Sequence, residues 1–121
     1  TGFAVHAGDA CFFNVDERVT NNETTYKKVR EVEVFVTGSI RVFFNLASTL
    51  SGYVSGRIYI NGEPVGTVRR VYEYMTGFTE DFDVQNGDLI QVFIKKDASS
   101  TVGAIHDKLK LGIASELAVI R

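Results

Sequence analysis

The side chains of this sequence that could do chemistry are few and widely spaced. His6 and His106 lie near opposite ends of the chain, and neither has a metal-ligand spacing with the other or with Cys11. Cys11 is the only cysteine and stands in an apolar run without the histidine pairing of a thiol nucleophile. We therefore expect a buried, inert thiol at Cys11 and a solvated or rim histidine at His106, on the polar side of the last strand.

The densest acidic cluster consists of Glu80, Asp81 and Asp83. Neighbouring carboxylates can perform acid–base catalysis or hold Ca²⁺, but no calcium-loop pattern surrounds them. Asp81 and Asp83 alternate with Phe82, which favours a solvated strand face at a sheet edge. Strict alternation places Glu80 on the core face, where it requires either a bulge or a buried partner such as an arginine.

These patterns predict a protein that is not an enzyme. No glycine-rich phosphate loop is present, and we assign no catalytic, cofactor-binding or metal-binding residue. The chain has 121 residues, of which 45% are hydrophobic, enough for the core of one domain. A formal net charge of −2 gives no electrostatic footprint for nucleic acid, and no apolar run approaches the ~20 residues needed to span a bilayer. We expect neither nucleic acid nor membrane among its partners.

Short runs of β-branched and aromatic residues alternate with polar residues along most of the chain. A period of two is typical of strands with one buried face. The core candidates with this spacing are Val32, Val34, Val36, Ile40, Val42, Phe44, Leu46, Val54, Ile58, Ile60, Ile90, Val92 and Ile94. Asn61-Gly62 predicts a two-residue type I′ hairpin, and Gln85–Asp88 predicts another turn. Turns at intervals of about 10 residues indicate an all-β fold, an antiparallel two-sheet sandwich or jelly roll.

The ends of the chain are less regular than its middle. We predict a single domain over residues 1–121, with its sandwich core at 26–113 and a C-terminal strand at 114–121. Residues 1–25 form an N-terminal arm or edge strands, and the polar stretch Asp16–Thr25 is expected to be a loop.

Residues 102–118 fit either a strand or one face of a helix. Gly103 and Gly112 weaken a helix, so a strand is preferred.

Four segments carry a resemblance to a known family: Gly38–Leu46, Gly56–Thr67, Thr79–Val84 and Gly87–Val92. Their order resembles a β-sandwich module of tailed-bacteriophage virion structural proteins, of the tail-associated or capsid-decoration type. The Val-x-x-Gly-Asp-x-Ile-x-Val element at 84–92 also occurs in jelly rolls of the C1q and tumour-necrosis-factor type and in carbohydrate-binding modules.

The resemblance covers residues 26–113 and implies a non-enzymatic virion component: a capsid decoration protein or part of a tail fibre or spike. It further implies a homotrimer that contacts itself and other virion proteins, is folded in the host cytoplasm and is located in the virion. No cofactor and no catalytic residue accompany this family.

The residues that we expect at a contact surface are Phe43, Arg57, Tyr59 and Phe93. Each points away from the core in the predicted register, and exposed aromatic rings beside arginines are typical of interaction surfaces. Three interpretations are open: this surface is covered within the fold, it is an oligomer or particle interface, or it is a platform for a host glycan. The alternative functions are accordingly a carbohydrate-binding, receptor-binding module and a subunit of an extracellular filament.

Overall fold

A computed structural model describes residues 11–49, 52–97 and 103–113, which form two antiparallel sheets and contain no helix. This confirms the predicted all-β sandwich. Sheet I has the order β1-β9-β3-β7, and sheet II has the order β2-β8-β4-β5, with β6 also paired to β4. The strands are β1 (Cys11–Asn21), β2 (Lys27–Glu33), β3 (Gly38–Ser48), β4 (Tyr53–Ile60), β5 (Glu63–Pro64), β6 (Arg69–Tyr72), β7 (Thr76–Val84), β8 (Leu89–Lys96) and β9 (Ala104–Ile113).

The core lies between the inner faces of the two sheets, where the period-two pattern predicted it. Phe44 and Leu46 of β3 are fully buried against the inner face of β4. The sheets approach closely at Gly56, since a Cβ atom there would lie 3.2 Å from the side chains of both Phe44 and Leu46. A glycine at this inward position therefore leaves room for the large side chains of β3.

The two predicted turns form at the same end of the sandwich. Asn61 and Gly62 have φ values of 53° and 83°, as a type I′ turn requires. Gly87, in the turn between β7 and β8, has a φ of 95°. Asp88 connects the two turns. Its carboxylate accepts a hydrogen bond of 3.0 Å from the side-chain amide of Asn61 and one of 2.8 Å from the backbone N–H of Gln85.

Strand limits differ from the sequence prediction at two places. The stretch Asp16–Thr25 is not a loop throughout, since β1 continues to Asn21 as an edge strand paired with β9. Register shifts interrupt the alternation of apolar and polar residues in β1, and an edge strand tolerates polar residues. The sequence of this segment therefore does not show the period of two that marks the other strands. The predicted return strand after Asn61-Gly62 is split into β5 and β6, because the N–H groups of Val65 and Gly66 both bond to the carbonyl of Ile58.

Near the C-terminus, β9 shows that residues 104–113 form a strand and not a helix. The predicted arm at residues 1–10 and the predicted strand at 114–121 lie outside the described residues, so both stay predictions.

Glu80 has an arginine partner, as its place on the core face required, although this arginine is only partly buried. Its carboxylate lies 3.2 Å from Nε of Arg69 and accepts a hydrogen bond from the backbone N–H of Thr67 at 2.9 Å. The Arg69 guanidinium also lies 5.3 Å from the ring centroid of Phe78. This group of contacts connects β7 of sheet I to β6 of sheet II.

The expectation of a solvated His106 is wrong, because the side chain is fully buried. β9 contains one more residue than β3 between the pairs Phe44–Leu109 and Ala47–Ile105, and such a bulge reverses the alternation that follows it. His106 therefore points into the core, 6.4 Å from the ring of Phe44 between centroids. Its Nδ1 lies 3.0 Å from the carbonyl oxygen of Asn45.

Burial makes His106 a source of acid sensitivity. The pKa of His106 is lowered, first because burial disfavours the imidazolium and also because Arg30, whose Nε lies 3.4 Å from Nε2, is positive. The Asn45 carbonyl and the Asp107 carboxylate oppose this shift, and Glu17 lies 3.8 Å from the Arg30 guanidinium.

We expect the free energy of unfolding to fall as the pH drops from about 7 towards 5. The reason is that His106 becomes protonated at a higher pH in the unfolded chain than in the native chain, where its pKa is lowered. His106→Gln should flatten this dependence, whatever its effect on the absolute stability. Urea unfolding at several pH values measures the slope, and an unchanged slope in the variant would contradict the prediction.

Candidate functional site

The outer face of sheet II carries the most concentrated group of aromatic and charged side chains in the described part of the chain, and we call it the aromatic face. It arises because alternate residues of β4 and β8 point away from the core, opposite buried residues such as Val54, Ile58 and Val92. Cross-strand pairs on this face include Arg57 with Phe93 and Ser55 with Lys95. Its members are Tyr26, Lys28, Glu31, Tyr53, Ser55, Arg57, Tyr59, Arg70, Tyr72, Gln91, Phe93, Lys95 and Asp97.

Three half-buried rings form the centre of the aromatic face. The rings of Tyr59 and Phe93 are stacked, with centroids 3.9 Å apart and planes inclined by 24°. Tyr26 precedes β2 and lies 6.4 Å from Tyr59 between ring centroids, at an angle of 59°. The pKa of Tyr26 is raised, chiefly by burial and then by Tyr59 and Asp97, although Arg57 opposes the shift. Tyr26 therefore stays a neutral phenol that can donate a hydrogen bond at physiological pH.

Arg57 lies beside this centre and is held by the backbone. Its Nε donates a hydrogen bond of 2.6 Å to the carbonyl oxygen of Gly66. Gly66 is itself held by the hydrogen bond of 3.0 Å from its N–H to the carbonyl of Ile58, and a Cβ atom there would be crowded, at 3.1–3.3 Å from atoms of Ile58. Lys95 also lies beside this centre, with Nζ 5.3 Å from the ring centroid of Tyr26.

A second pair of rings lies nearer the other end of β4. Tyr53 and Tyr72 face each other across β4 and β6, with centroids 4.9 Å apart in an edge-to-face arrangement. They are 46% and 49% exposed, so both remain available to a ligand. The Arg70 guanidinium lies 3.8 Å from the ring centroid of Tyr53.

Asp97 supplies a fixed hydrogen-bond acceptor next to Tyr53, whose carbonyl bonds to the N–H of Asp97 at 3.1 Å. It accepts a hydrogen bond of 2.6 Å from the Ser55 hydroxyl and another from Arg70. Burial acts to raise the pKa of Asp97, but these two hydrogen bonds, together with the charges of Arg70 and Lys95, leave it below its ordinary value. Asp97 is therefore a carboxylate at neutral pH.

At the end of the face near Tyr59, the buried side-chain amide of Gln91 connects neighbouring strands. Gln91 donates a hydrogen bond of 2.7 Å to Glu31 and accepts one of 2.9 Å from the N–H of Gly62. Glu31 also pairs with Lys28 at 2.8 Å, and the hydrogen bonds from Lys28 and then Gln91 lower the pKa of Glu31. These contacts fix β2, β8 and the β4–β5 turn relative to each other, and so hold the rings in place.

The four residues predicted for a contact surface do not all lie together. Arg57, Tyr59 and Phe93 adjoin one another on the aromatic face. Phe43 points outward from β3 in sheet I, on the opposite side of the sandwich, where it lies over Gly77. A Cβ atom at Gly77 would be 2.5 Å from Cε2 of Phe43, so this ring covers the backbone of a strand that lacks a side chain.

The sequence prediction missed several members of the aromatic face. Tyr53 is separated from Arg57 and Tyr59 by an even number of positions along β4 and therefore points to the same side of the strand. This spacing could have identified Tyr53 as a member of the face. Tyr26 and Tyr72 come from segments that meet β4 and β8 only through tertiary contacts, and no local pattern marks them.

Other kinds of site find no support in the described ranges 11–49, 52–97 and 103–113. Within them, no group of three or more histidine, cysteine, aspartate or glutamate side chains is placed to hold a metal ion. These ranges also contain no helix of sufficient length and apolar character to cross a membrane. The aromatic face can bind a ligand that presents apolar surface to the rings and polar groups to Arg57, Lys95, Asp97 and Arg70.

Comparisons with known proteins show similarity of fold but not of sequence. The sequence matches no family model, and no curated protein is significantly similar to it in sequence. The sugar-binding C-terminal domain of EclA matches the structure with a TM-score of 0.61 at 9% identity, over 79% of this chain and 77% of that one. The CBM36-1 domain of a multidomain xylanase, from the hindgut metagenome of Trinervitermes trinervoides, gives 0.61 at 13% identity, with coverages of 93% and 98%. A family 35 carbohydrate-binding module from Clostridium thermocellum gives 0.53 at 18%, with coverages of 94% and 99%. At these identities the similarity shows the fold alone, and this chain is a β-sandwich of the kind found in carbohydrate-binding modules.

Proposed function

We propose that this protein is a non-catalytic carbohydrate-binding module whose ligand lies on the aromatic face. The observation that carries the proposal is the grouping of Tyr26, Tyr59 and Phe93 beside fixed polar groups on a single sheet surface. A sugar ring has apolar C–H faces that pack on aromatic rings, and its hydroxyl groups form hydrogen bonds at its rim. Charged partners make such hydrogen bonds stronger than neutral ones.

The shape of the face favours an extended ligand over a small molecule. Tyr59 and Tyr53 lie six residues apart along β4, a distance of about 20 Å in a strand. Tyr59 and Tyr53 are therefore separated by several sugar units, and Ser55, which bonds to Asp97, lies between them on β4. We infer that the ligand is an oligosaccharide or polysaccharide chain that runs along β4.

The fold similarities support this proposal, although a shared fold does not determine function. They support the sugar-binding alternative better than the virion structural role that the sequence resemblance implied. The virion role, the location in a virion, the homotrimer and the filament subunit stay predictions. The solution mass separates these alternatives from the module: we expect a monomer, whereas a closed trimer that covers the aromatic face would contradict the proposal.

The proposal predicts saturable binding of the folded protein to at least one polysaccharide. Affinity electrophoresis against a panel of neutral and acidic plant, algal and bacterial polysaccharides is the first screen, followed by calorimetry with oligosaccharides of the best polymer. The calorimetric affinity should rise with oligosaccharide length until the 20 Å face is filled. A folded protein that no polymer of the panel retards would contradict the proposed function.

A further inference from the structure

The carboxylates of the aromatic face are already paired. Glu31 lies 2.8 Å from the ammonium group of Lys28. Asp97 pairs with the guanidinium of Arg70. Neither carboxylate is therefore available to neutralise a further cation on this face without giving up its partner.

Two cations on the face have no ion pair among the described residues. Arg57 and Lys95 lack a carboxylate oxygen within 4.0 Å, although the charge of Lys95 contributes to lowering the pKa of Asp97. They occupy diagonal positions on neighbouring strands, since Arg57 is opposite Phe93 and Lys95 follows two residues later, about 7 Å away. The aromatic face thus carries excess positive charge in a chain whose net charge is −2.

Arg57 has the arrangement of a carboxylate receptor. Its Nε donates to the Gly66 carbonyl at 2.6 Å, whereas its two terminal nitrogens have no partner in the part of the chain that the structure describes. A guanidinium matches a planar two-oxygen anion with parallel hydrogen bonds. Because the side chain is held in place beforehand, little conformational entropy is lost on binding. The stacked rings of Tyr59 and Phe93 lie directly beside it.

We infer that the glycan bound by the aromatic face is acidic and that Arg57 binds the carboxylate of a uronic acid residue. The ring of that residue packs on Tyr59 and Phe93, and Lys95 interacts with a second acidic group along the chain. This inference rests on the proposed function and names its ligand class. The proposed ligand is a carboxylated sugar, and a sulfated glycan is included in the test as the competing acidic ligand.

The test compares acidic polymers with neutral polymers of the same backbone. Polygalacturonate, polyglucuronate and alginate are each paired with their carboxyl-reduced forms, and a sulfated galactan is included. We expect at least one acidic polymer to bind at least about tenfold more tightly than its reduced form, as the loss of a charge-assisted bond implies. Equal or tighter binding of the neutral forms would overturn the acidic inference and leave the proposed function intact. Preference for the sulfated galactan, or binding only to a neutral polymer of the wider panel, would also overturn it. Failure of these polymers and of every other polymer of the panel would overturn the proposed function itself.

Matched variants separate a specific receptor from general attraction to polyanions. Arg57→Gln should reduce the affinity for the acidic polymer at least about tenfold more than it reduces the affinity for the carboxyl-reduced form, because only the acidic polymer loses a charge-assisted pair. Lys110→Gln removes the same charge from the outer face of sheet I, where Lys110 pairs across from Phe43, and should change neither. Equal losses in the two variants would overturn the assignment. Lys95→Gln provides a second variant on the aromatic face if Arg57→Gln does not fold, and it should also reduce the preference for the acidic form.

Discussion

Replacing Tyr59 by alanine is expected to weaken glycan binding by about 30-fold, which corresponds to about 2 kcal/mol. Tyr59 is in contact with both other rings of the central group, since it stacks on Phe93 at 3.9 Å and adjoins Tyr26 at 6.4 Å between centroids. Its removal therefore deletes the middle of the surface on which a sugar ring would pack. Tyr59→Phe keeps the ring and should retain most of the affinity.

The matched control is Phe43→Ala on the opposite face of the sandwich. Phe43 lies over Gly77 in sheet I, so its loss should lower the stability of the protein without changing its affinity for glycan. Calorimetry on folded variants, with thermal unfolding as a check, measures both effects. If Tyr59→Ala and Phe43→Ala reduced affinity equally, the ligand would not be bound by the aromatic face.

The second large effect concerns stability, and we expect Asn45→Ala to lower the free energy of unfolding by about 3 kcal/mol. Asn45 is buried at the bulge between β3 and β9. Its Oδ1 accepts hydrogen bonds of 2.9 Å from the backbone N–H groups of Asp107 and Lys108, and its Nδ2 donates to the Asp107 carboxylate at 2.5 Å. Alanine would leave two backbone donors and a partly buried carboxylate without these partners.

Asn14→Ala in the edge strand β1 is the control, because Asn14 is exposed. It should change the free energy of unfolding by less than about 0.5 kcal/mol. Denaturant unfolding of both variants at neutral pH gives the comparison. A loss below about 1 kcal/mol for Asn45→Ala would show that the bulge is held by the strands alone and not by this side chain.

The effect of Tyr59→Ala on affinity and the effect of Asn45→Ala on stability are separable, because the two residues act at different surfaces of the sandwich. The inner faces hold the core, whereas the outer face of sheet II is free to carry a site. Asn45 acts at the bulge of sheet I, and Tyr59 lies on the outer face of sheet II. We therefore expect a substitution at either residue to have little effect on the property that the other controls.

The local alternation of the sequence is enough to predict which residues of β3, β4 and β8 face inward. Along β3, Ile40, Val42 and Phe44 are buried and Arg41 is exposed, as their alternation predicted. The hairpin at Asn61-Gly62 was equally predictable, because positive φ values at two consecutive positions are favourable for few residue types. Both features depend on the local chain, and a single sequence is enough to reveal them.

Which outward side chains share a surface depends on the strand order within the two sheets, and this appears only in the folded structure. Phe43 and Tyr59 have the same local pattern, yet their strands belong to different sheets and their rings lie on opposite sides of the molecule. Tyr26 reaches Tyr59 from outside any strand, and one extra residue in β9 turns His106 from the surface into the core. The period of two is a property of the backbone of each strand, whereas strand order and bulges depend on pairing between distant segments. That pairing leaves no mark in the local pattern, so the alternation could predict the core but not the site.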